Sequence, residues 1–341
     1  GTKDPLIGAV GPCRPAAPVR MVKVMVRTRG ALVPSWRRRR VAAALIAVLA
    51  VAVTAAFGLY GRQIVSYVSH IRGSSTNTEP LAAFPAGAGP LYRIAVAGDV
   101  GYANDRAAKT GAAIVAAGAG RPYDTLLLLG DSVYPAGDPA RLPATVFEPF
   151  GPVLDTGARL LAILGNHDVK DGHADAMVAA LGMPGRWYSE VLGDVTFVAL
   201  DSNDPYNPHQ LAWLEQTLAG ATTTWKIVAL HHPPYSAGYQ GSSLDARQVF
   251  SPLFERYGVQ LALSGHEHDY QRSIPISGVT YIISGGAAET RRSGKEDFTA
   301  ASVSWHHFVD LNVFADHLLV RGVNQSGRVF DQVTIPALSE N

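Results

Sequence analysis

Apolar residues in this chain fall into short runs separated by glycine and polar clusters, and the runs follow two periods. Tyr92–Ala97, Thr125–Leu129, Arg159–Leu164, Val195–Leu200, Lys226–Leu230, Val259–Leu263 and Tyr281–Ser284 are short and mostly apolar. Such runs, bounded by turn residues, predict strands buried in a parallel sheet. Between them the spacing changes. In Gln210–Leu218, Leu211, Leu214 and Leu218 share one helical face, with Glu215 on the other. Asp245–Tyr257 repeats that pattern through Val249, Leu253 and Phe254. Phe308–Val313, Leu318–Val323 and Val329–Ile335 read as three further strands. Asn324-Gln325-Ser326-Gly327 joins the last two, a hairpin signal. Alternating strand and helix followed by a β meander predicts one α/β domain of about 245 residues. Its bounds are set at 90–337.

The amino-terminal quarter is patterned differently. Val41–Tyr60 runs twenty residues without a charge, and Arg37–Arg40 abut it. Twenty helical residues at about 1.5 Å each span a hydrocarbon core of about 30 Å. Residues 41–60 are therefore expected to be a membrane anchor, with the arginines cytoplasmic and the following chain outside. The alternative is a signal segment cleaved near Ala55-Ala56, which would leave the protein secreted. Residues 1–40 form a basic segment. Its first twenty positions are rich in Gly, Pro and Ala and precede Met21 and Met25, which are the expected natural starts. Residues 61–89 carry the Ser, Thr, Pro and Gly of a linker.

Charge sharpens the picture. Residues 1–40 hold ten Lys and Arg against the single acid Asp4, which leaves 19 basic and 27 acidic residues beyond them, a balance of −8. An acidic body makes nucleic acid an unexpected partner. Cys13 is the only cysteine, so an intramolecular disulfide framework and thiolate metal clusters are both excluded. Any metal must take oxygen and nitrogen ligands.

Five of the predicted strands end in residues of ligand type. They are followed by Gly98-Asp99-Val100-Gly101, by Gly130-Asp131-Ser132-Val133-Tyr134, by Gly165-Asn166-His167-Asp168, by His231-His232, and by Gly265-His266-Glu267-His268. In a doubly wound sheet the carboxyl ends of the strands line one edge, where ligands bind. Each site alone has an ordinary explanation in turn or capping chemistry. Five in register with five strands do not. The set exceeds one metal's needs and lacks sulfur, which fits two hard or borderline cations sharing a carboxylate. A phenol of pKa about 10 becomes a ligand only if a strong Lewis acid displaces its proton, so Tyr134 points to Fe³⁺ beside a divalent ion.

These motifs, GDxG, GDxxY, GNH(D), VxxH and GHxH in order, resemble the calcineurin-like metallophosphoesterases. The Tyr of Gly130–Tyr134 is similar to that of the purple acid phosphatase branch, and the resemblance spans roughly Tyr92 to Ile335. It implies a β-sandwich flanked by helices (α-β-β-α), with the meander supplying the second sheet. It further implies Asp99, Asp131, Tyr134 and His268 around Fe³⁺. Asn166, His231 and His266 would surround a divalent ion (Fe²⁺, Zn²⁺ or Mn²⁺), with Asp131 bridging. His231 rather than His232 matches VxxH. Asn166 and His167 are expected at the substrate, and Asp168 is expected to orient His167. The implied reaction is hydrolysis of phosphate monoesters on small molecules by a metal-activated hydroxide, outside the membrane. Phosphodiester hydrolysis with two divalent ions is the alternative. Gln240 stands where relatives often carry a substrate-facing His, and Gln cannot supply a proton. His70, His173, His209, His306, His307 and His317 are read as surface or structural.

Overall fold

The computed structural model describes residues 78–84 and 89–338. The expected basic segment and the anchor or signal at 41–60 lie outside them, as does most of the linker. Among the described residues, no helix is long and apolar enough to cross a membrane.

Among the described residues, fourteen strands form two sheets of seven. The first contains β1 (Glu79–Pro80), β2 (Tyr92–Ala97), β3 (Thr125–Leu128), β4 (Arg159–Ala162), β12 (His307–Val313), β13 (His317–Asn324) and β14 (Arg328–Pro336). Their order is β1-β14-β13-β12-β2-β3-β4. The second contains β5 (Tyr188–Val191), β6 (Val195–Leu200), β7 (Trp225–Leu230), β8 (Leu261–Ser264), β9 (Tyr270–Ser273), β10 (Thr280–Ser284) and β11 (Thr299–Val303). They are ordered β11-β9-β10-β8-β7-β6-β5. The helices are α1 (Asp105–Ala117), α2 (Glu148–Leu154), α3 (Ala174–Ala180), α4 (Pro208–Gly220) and α5 (Leu244–Arg256).

Two expectations are corrected here. The five ligand-bearing strands do not share one doubly wound sheet: β2, β3 and β4 run parallel in the first, while β7 and β8 run parallel in the second. Nor does the meander supply the second sheet. It extends the first, because β12 pairs antiparallel with β2, setting Val309 opposite Val96 and Leu311 opposite Ile94. The reason is edge chemistry. Without β12, the apolar strand β2 would present a row of unpaired backbone groups. The linker region also contributes structure, since Glu79–Pro80 pairs with Val329 and Arg328 of β14.

Alternation along the strands assigns the two faces. In β6 and β7, Phe197, Ala199, Ile227 and Ala229 join Ile94, Val96, Leu126 and Leu128 in one core that draws on both sheets. The intervening Val198, Leu200, Val228 and Leu230 pack with Leu214 and Leu218 of α4 and Phe250 and Phe254 of α5. Period 2 in the strands and about 3.6 in the helices is what permits this division. A buried polar knot secures the first sheet. Asp310 on β12 takes Arg93 of β2 at 2.9 Å and Arg321 of β13 at 2.6 Å, and Tyr123 donates to it at 2.9 Å. Buried charge is tolerated when paired and fully hydrogen-bonded, as it is here. Phe84, from the expected linker, lies under the Arg321 guanidinium.

Candidate metal centre

Local backbone geometry aims the candidate side chains. Asp99, Asp131 and His266 all have positive φ (58°, 51° and 71°), although none is glycine. A non-glycine residue in the left-handed region carries a cost of about 1–3 kcal/mol, which persists only where the surroundings enforce it. Glycines make room for these turns. A Cβ on Gly165 would sit 2.2 Å from both the amide nitrogen and Oδ1 of Asp131, and one on Gly130 (φ 85°) would sit 2.6 Å from Gly165 N and 2.7 Å from His231 Nδ1. The GD and GNH loops can therefore touch only through glycine.

The structure brings all seven candidate ligands together, from five loops on two sheets. Tyr134 Oη lies 3.1 Å from Asp99 Oδ1, 2.9 Å from Asp131 Oδ2 and 3.0 Å from His268 Nε2. His268 Nε2 is 3.4 Å from Asp99 Oδ1. On the other side, Asn166 Oδ1 lies 3.2 Å from His231 Nε2 and 3.0 Å from His266 Nδ1. His231 Nε2 stands 3.5 Å from Asp131 Oδ1. Asp131 thus turns one oxygen to each group. Ligand-type atoms of Asp99, Asp131 and His231 all lie within 4.8 Å of one another.

Supporting contacts fix these orientations. His231 Nδ1 donates to the Leu129 carbonyl at 2.8 Å, which fixes the ring with Nε2 toward the cluster. The backbone N–H of His266 donates to Asp99 Oδ2 and that of His167 to Asp131 Oδ1, both at 2.8 Å. His232, by contrast, turns to Ser202 Oγ at 2.9 Å. Glu267, between the two histidines of its loop, points away from the cluster. It accepts the N–H groups of Gln240 and Gly241 at 2.7 Å each and so ties down the 236–241 loop. Gln240 donates to the His266 carbonyl at 2.9 Å.

The electrostatics suit cations. Asp99 and Asp131 are 0% and 2% exposed. The ion-pair-distance contacts of these carboxylates are to His268 and His231, not to Lys or Arg. Burial, reinforced by both carboxylates, pushes the Tyr134 phenol well above its ordinary range. Burial opposes charge on His231, yet Asp131 and Asp99 outweigh it and raise the ring's pKa. Burial lowers His266, and the nearby His231 and His232 lower it further. Buried carboxylates gathered with neutral N and O donors and no sulfur fit hard or borderline metal ions, which would offset the charge.

Asp168 is corrected. It does not orient the His167 ring. Fully buried, its carboxylate accepts the backbone N–H groups of Ser132 (2.8 Å), Val133 (3.2 Å) and Gly165 (2.9 Å), clasping two loops together. His167 instead places Nδ1 at 2.6 Å from the Pro135 carbonyl and 2.9 Å from Lys170 Nζ. Sequence reasoning missed Lys170, whose only signal is its spacing of three from His167. It also missed Tyr102, whose ring stacks on Tyr134 at 4.3 Å. Among the other histidines, His307 is fully buried on β12 and its pKa is lowered to about 4 by burial.

Comparison with known proteins identifies the family. The family model for calcineurin-like phosphoesterases matches residues 92–270. Acid phosphatase A of Cryphonectria parasitica is 33% identical over 146 residues, covering 32% of this chain and 29% of that one. Purple acid phosphatase 21 of Arabidopsis thaliana is 29% identical over 180 residues, covering 46% and 40%. The match thus spans well under half of either relative. Among solved structures, the purple acid phosphatase of yellow lupin (Lupinus luteus) shares the fold, with a TM-score of 0.65 at 20% identity over 75% of this chain and 55% of that one. With the family model matching more than half of its length, and with purple acid phosphatases among its relatives, the chain belongs to the calcineurin-like phosphoesterases.

Proposed function

We propose that this chain is a metal-dependent phosphatase that hydrolyses phosphate monoesters at a two-cation centre. Asp99, Tyr134 and His268 would hold Fe³⁺, and Asn166, His231 and His266 a divalent ion (Fe²⁺, Zn²⁺ or Mn²⁺), with Asp131 bridging. One observation carries the reading: the two carboxylate oxygens of Asp131 face different groups, Oδ2 toward Tyr134 and Oδ1 toward His231. When bound, the cations supply Lewis acidity for phosphoryl oxygens and lower the pKa of water. Tyr134 is the argument for a trivalent ion, since its proton is held tightly and yields only to a strong Lewis acid.

The chain's own residues have distinct tasks. His167 stands beside Asn166, where its ring can hydrogen-bond a phosphoryl oxygen as charge develops. Asp168 keeps the loops carrying Asp131 and Asn166 in register. Gln240 can donate a hydrogen bond to a leaving group but no proton. The charge pattern of Arg37–Arg40 and Val41–Tyr60 supports an extracytoplasmic location for the catalytic domain, anchored or secreted.

The test is metal analysis of the purified protein alongside rates on a monoester and a diester. Iron with a second metal, and a monoester preference, are expected. Two divalent ions with a diester preference would replace this reading with a phosphodiesterase. No hydrolysis of either ester by the metal-loaded protein would remove it.

A further inference from the structure

The open side of the centre carries a cation that the phosphatase reading leaves without a task. Lys170 is exposed and follows His167 by three residues, in a turn whose Lys170 N–H approaches the His167 carbonyl at 3.4 Å. Its Nζ lies 2.9 Å from His167 Nδ1 and 3.3 Å from Nε2. Nδ1 also lies 2.6 Å from the Pro135 carbonyl, so the carbonyl and the ammonium meet the same ring nitrogen. The polar contacts of the Lys170 side chain among the described residues are to this ring, not to a carboxylate. An ammonium held on an imidazole, with no acid opposite, retains donors for an anion. The ring that holds it is anchored in turn, because the His167 N–H donates to Asp131 Oδ1 and the ring meets Tyr134 edge-on at 4.5 Å.

We propose that Lys170 is a specificity-determining residue that binds the phosphoryl group of the substrate beside His167 and favours the doubly charged monoester over the singly charged diester. The proposal rests on the phosphatase reading above. A monoester carries most of its second negative charge at neutral pH, because its second pKa is about 6, whereas a diester has only one ionised oxygen. A lysine acts on phosphate as a point charge, so its contribution grows with the charge of the group. Lys170 would add its charge from the solvent side to that of the cations.

The experiment compares wild type, Lys170→Met and Lys170→Arg as metal-loaded proteins. The probes are p-nitrophenyl phosphate, bis-p-nitrophenyl phosphate and, as inhibitor, inorganic phosphate. Lys170→Met should raise the monoester KM and the phosphate Ki by about tenfold, as expected for one charge-assisted contact. Its kcat and its kcat/KM for the diester should change by less than about threefold, so the monoester-to-diester ratio falls. Lys170→Arg, which keeps the charge, should restore most of that ratio, and metal content should not differ among the three proteins. An unchanged ratio and an unchanged Ki in Lys170→Met overturn the proposal while leaving the phosphatase reading intact. Should wild type hydrolyse neither ester, calorimetric titration with inorganic phosphate still decides. Weaker binding by Lys170→Met then supports the lysine although the phosphatase reading falls. Equal binding by both proteins, or none by either, overturns the proposal.

Discussion

The two oxygens of Asp131 open onto different surroundings. On the Oδ2 side Asp99, Tyr134 and His268 are 0%, 8% and 2% exposed, and the Tyr102 ring covers Tyr134. On the Oδ1 side His231 is fully buried, but Asn166 and His266 are only half-buried, and His167 and Lys170 lead outward to solvent. Beside the shared Asp131, the closed side is built from a phenol, a carboxylate and one imidazole, the more anionic set of donors. The open side is built from an amide and two imidazoles, His231 and His266. A cation held on the first side would be shielded from exchange, and one on the second would meet water and substrate. The asymmetry is one of access as much as of charge.

Removing what the two sides share should have the largest effect. Asp131→Ala deletes a donor from both and leaves Asp99 as the one carboxylate among the candidate ligands. Activity should fall by about a thousandfold, equivalent to several kcal/mol of lost charge stabilisation. Metal analysis of the variant should find both sites depleted. Loss of only one metal would show that the two sides fill independently and that Asp131 does not join them.

Tyr134→Phe acts on the closed side alone. It removes one donor atom and keeps the ring stacked on Tyr102. A phenolate bound to Fe³⁺ absorbs in the visible, so iron-loaded wild type should be coloured and the variant colourless. Activity at acid pH should drop by about ten- to a hundredfold, as for loss of a single metal-supporting group. A colourless wild type that is indifferent to the substitution would argue for two divalent ions and remove the chemical half of the asymmetry.

Asp168→Ala tests the clasp behind both sides. Three backbone donors would be left buried without an acceptor, costing about 2–4 kcal/mol of stability. Denaturant unfolding should record that loss, and Asp168→Asn, which keeps one acceptor oxygen, should lose less. Equal stability of wild type and Asp168→Ala would mean that the loops hold their register without this carboxylate.

The smallest expected effect is on the rim. Gln240→His introduces a group able to donate a proton near the open side. It should raise kcat at acid pH about threefold for substrates with poor leaving groups, well below what an optimally placed acid delivers. Substrates with good leaving groups should not respond. A uniform gain across both classes would point to altered binding instead of proton donation.

Much of this arrangement was legible before any coordinates. Thr125–Leu128, Val195–Leu200 and Tyr92–Ala97 announce themselves as buried strands because uninterrupted apolar runs have few other stable places in a folded chain. The glycine turns after them, and the Asp, Asn, Tyr and His that follow, are local features written in consecutive residues. Harder to read were β5, β9 and β11, whose sequences YSEV, YQRS and TAASV have no clear period. Each pairs antiparallel with a neighbour, β5 on β6, β9 on β10 and β11 on β9, and takes its conformation from that neighbour's hydrogen bonds more than from its own composition. Helix α1 was equally quiet, since Asp105–Ala117 is dominated by alanines that favour helix without marking a face.

The chain by itself therefore determined which residues stand at the ends of strands and what chemistry they can offer, because turn geometry and ligand type depend on neighbours in sequence. Only the tertiary structure decided that the meander completes the first sheet, since strand order depends on which edges find partners. It also decided that Asp168 serves three backbone amides and not His167, and that Lys170 lies on the His167 ring. Such pairings depend on how loops from separate strands meet, and residue spacing along the chain carries no record of that meeting.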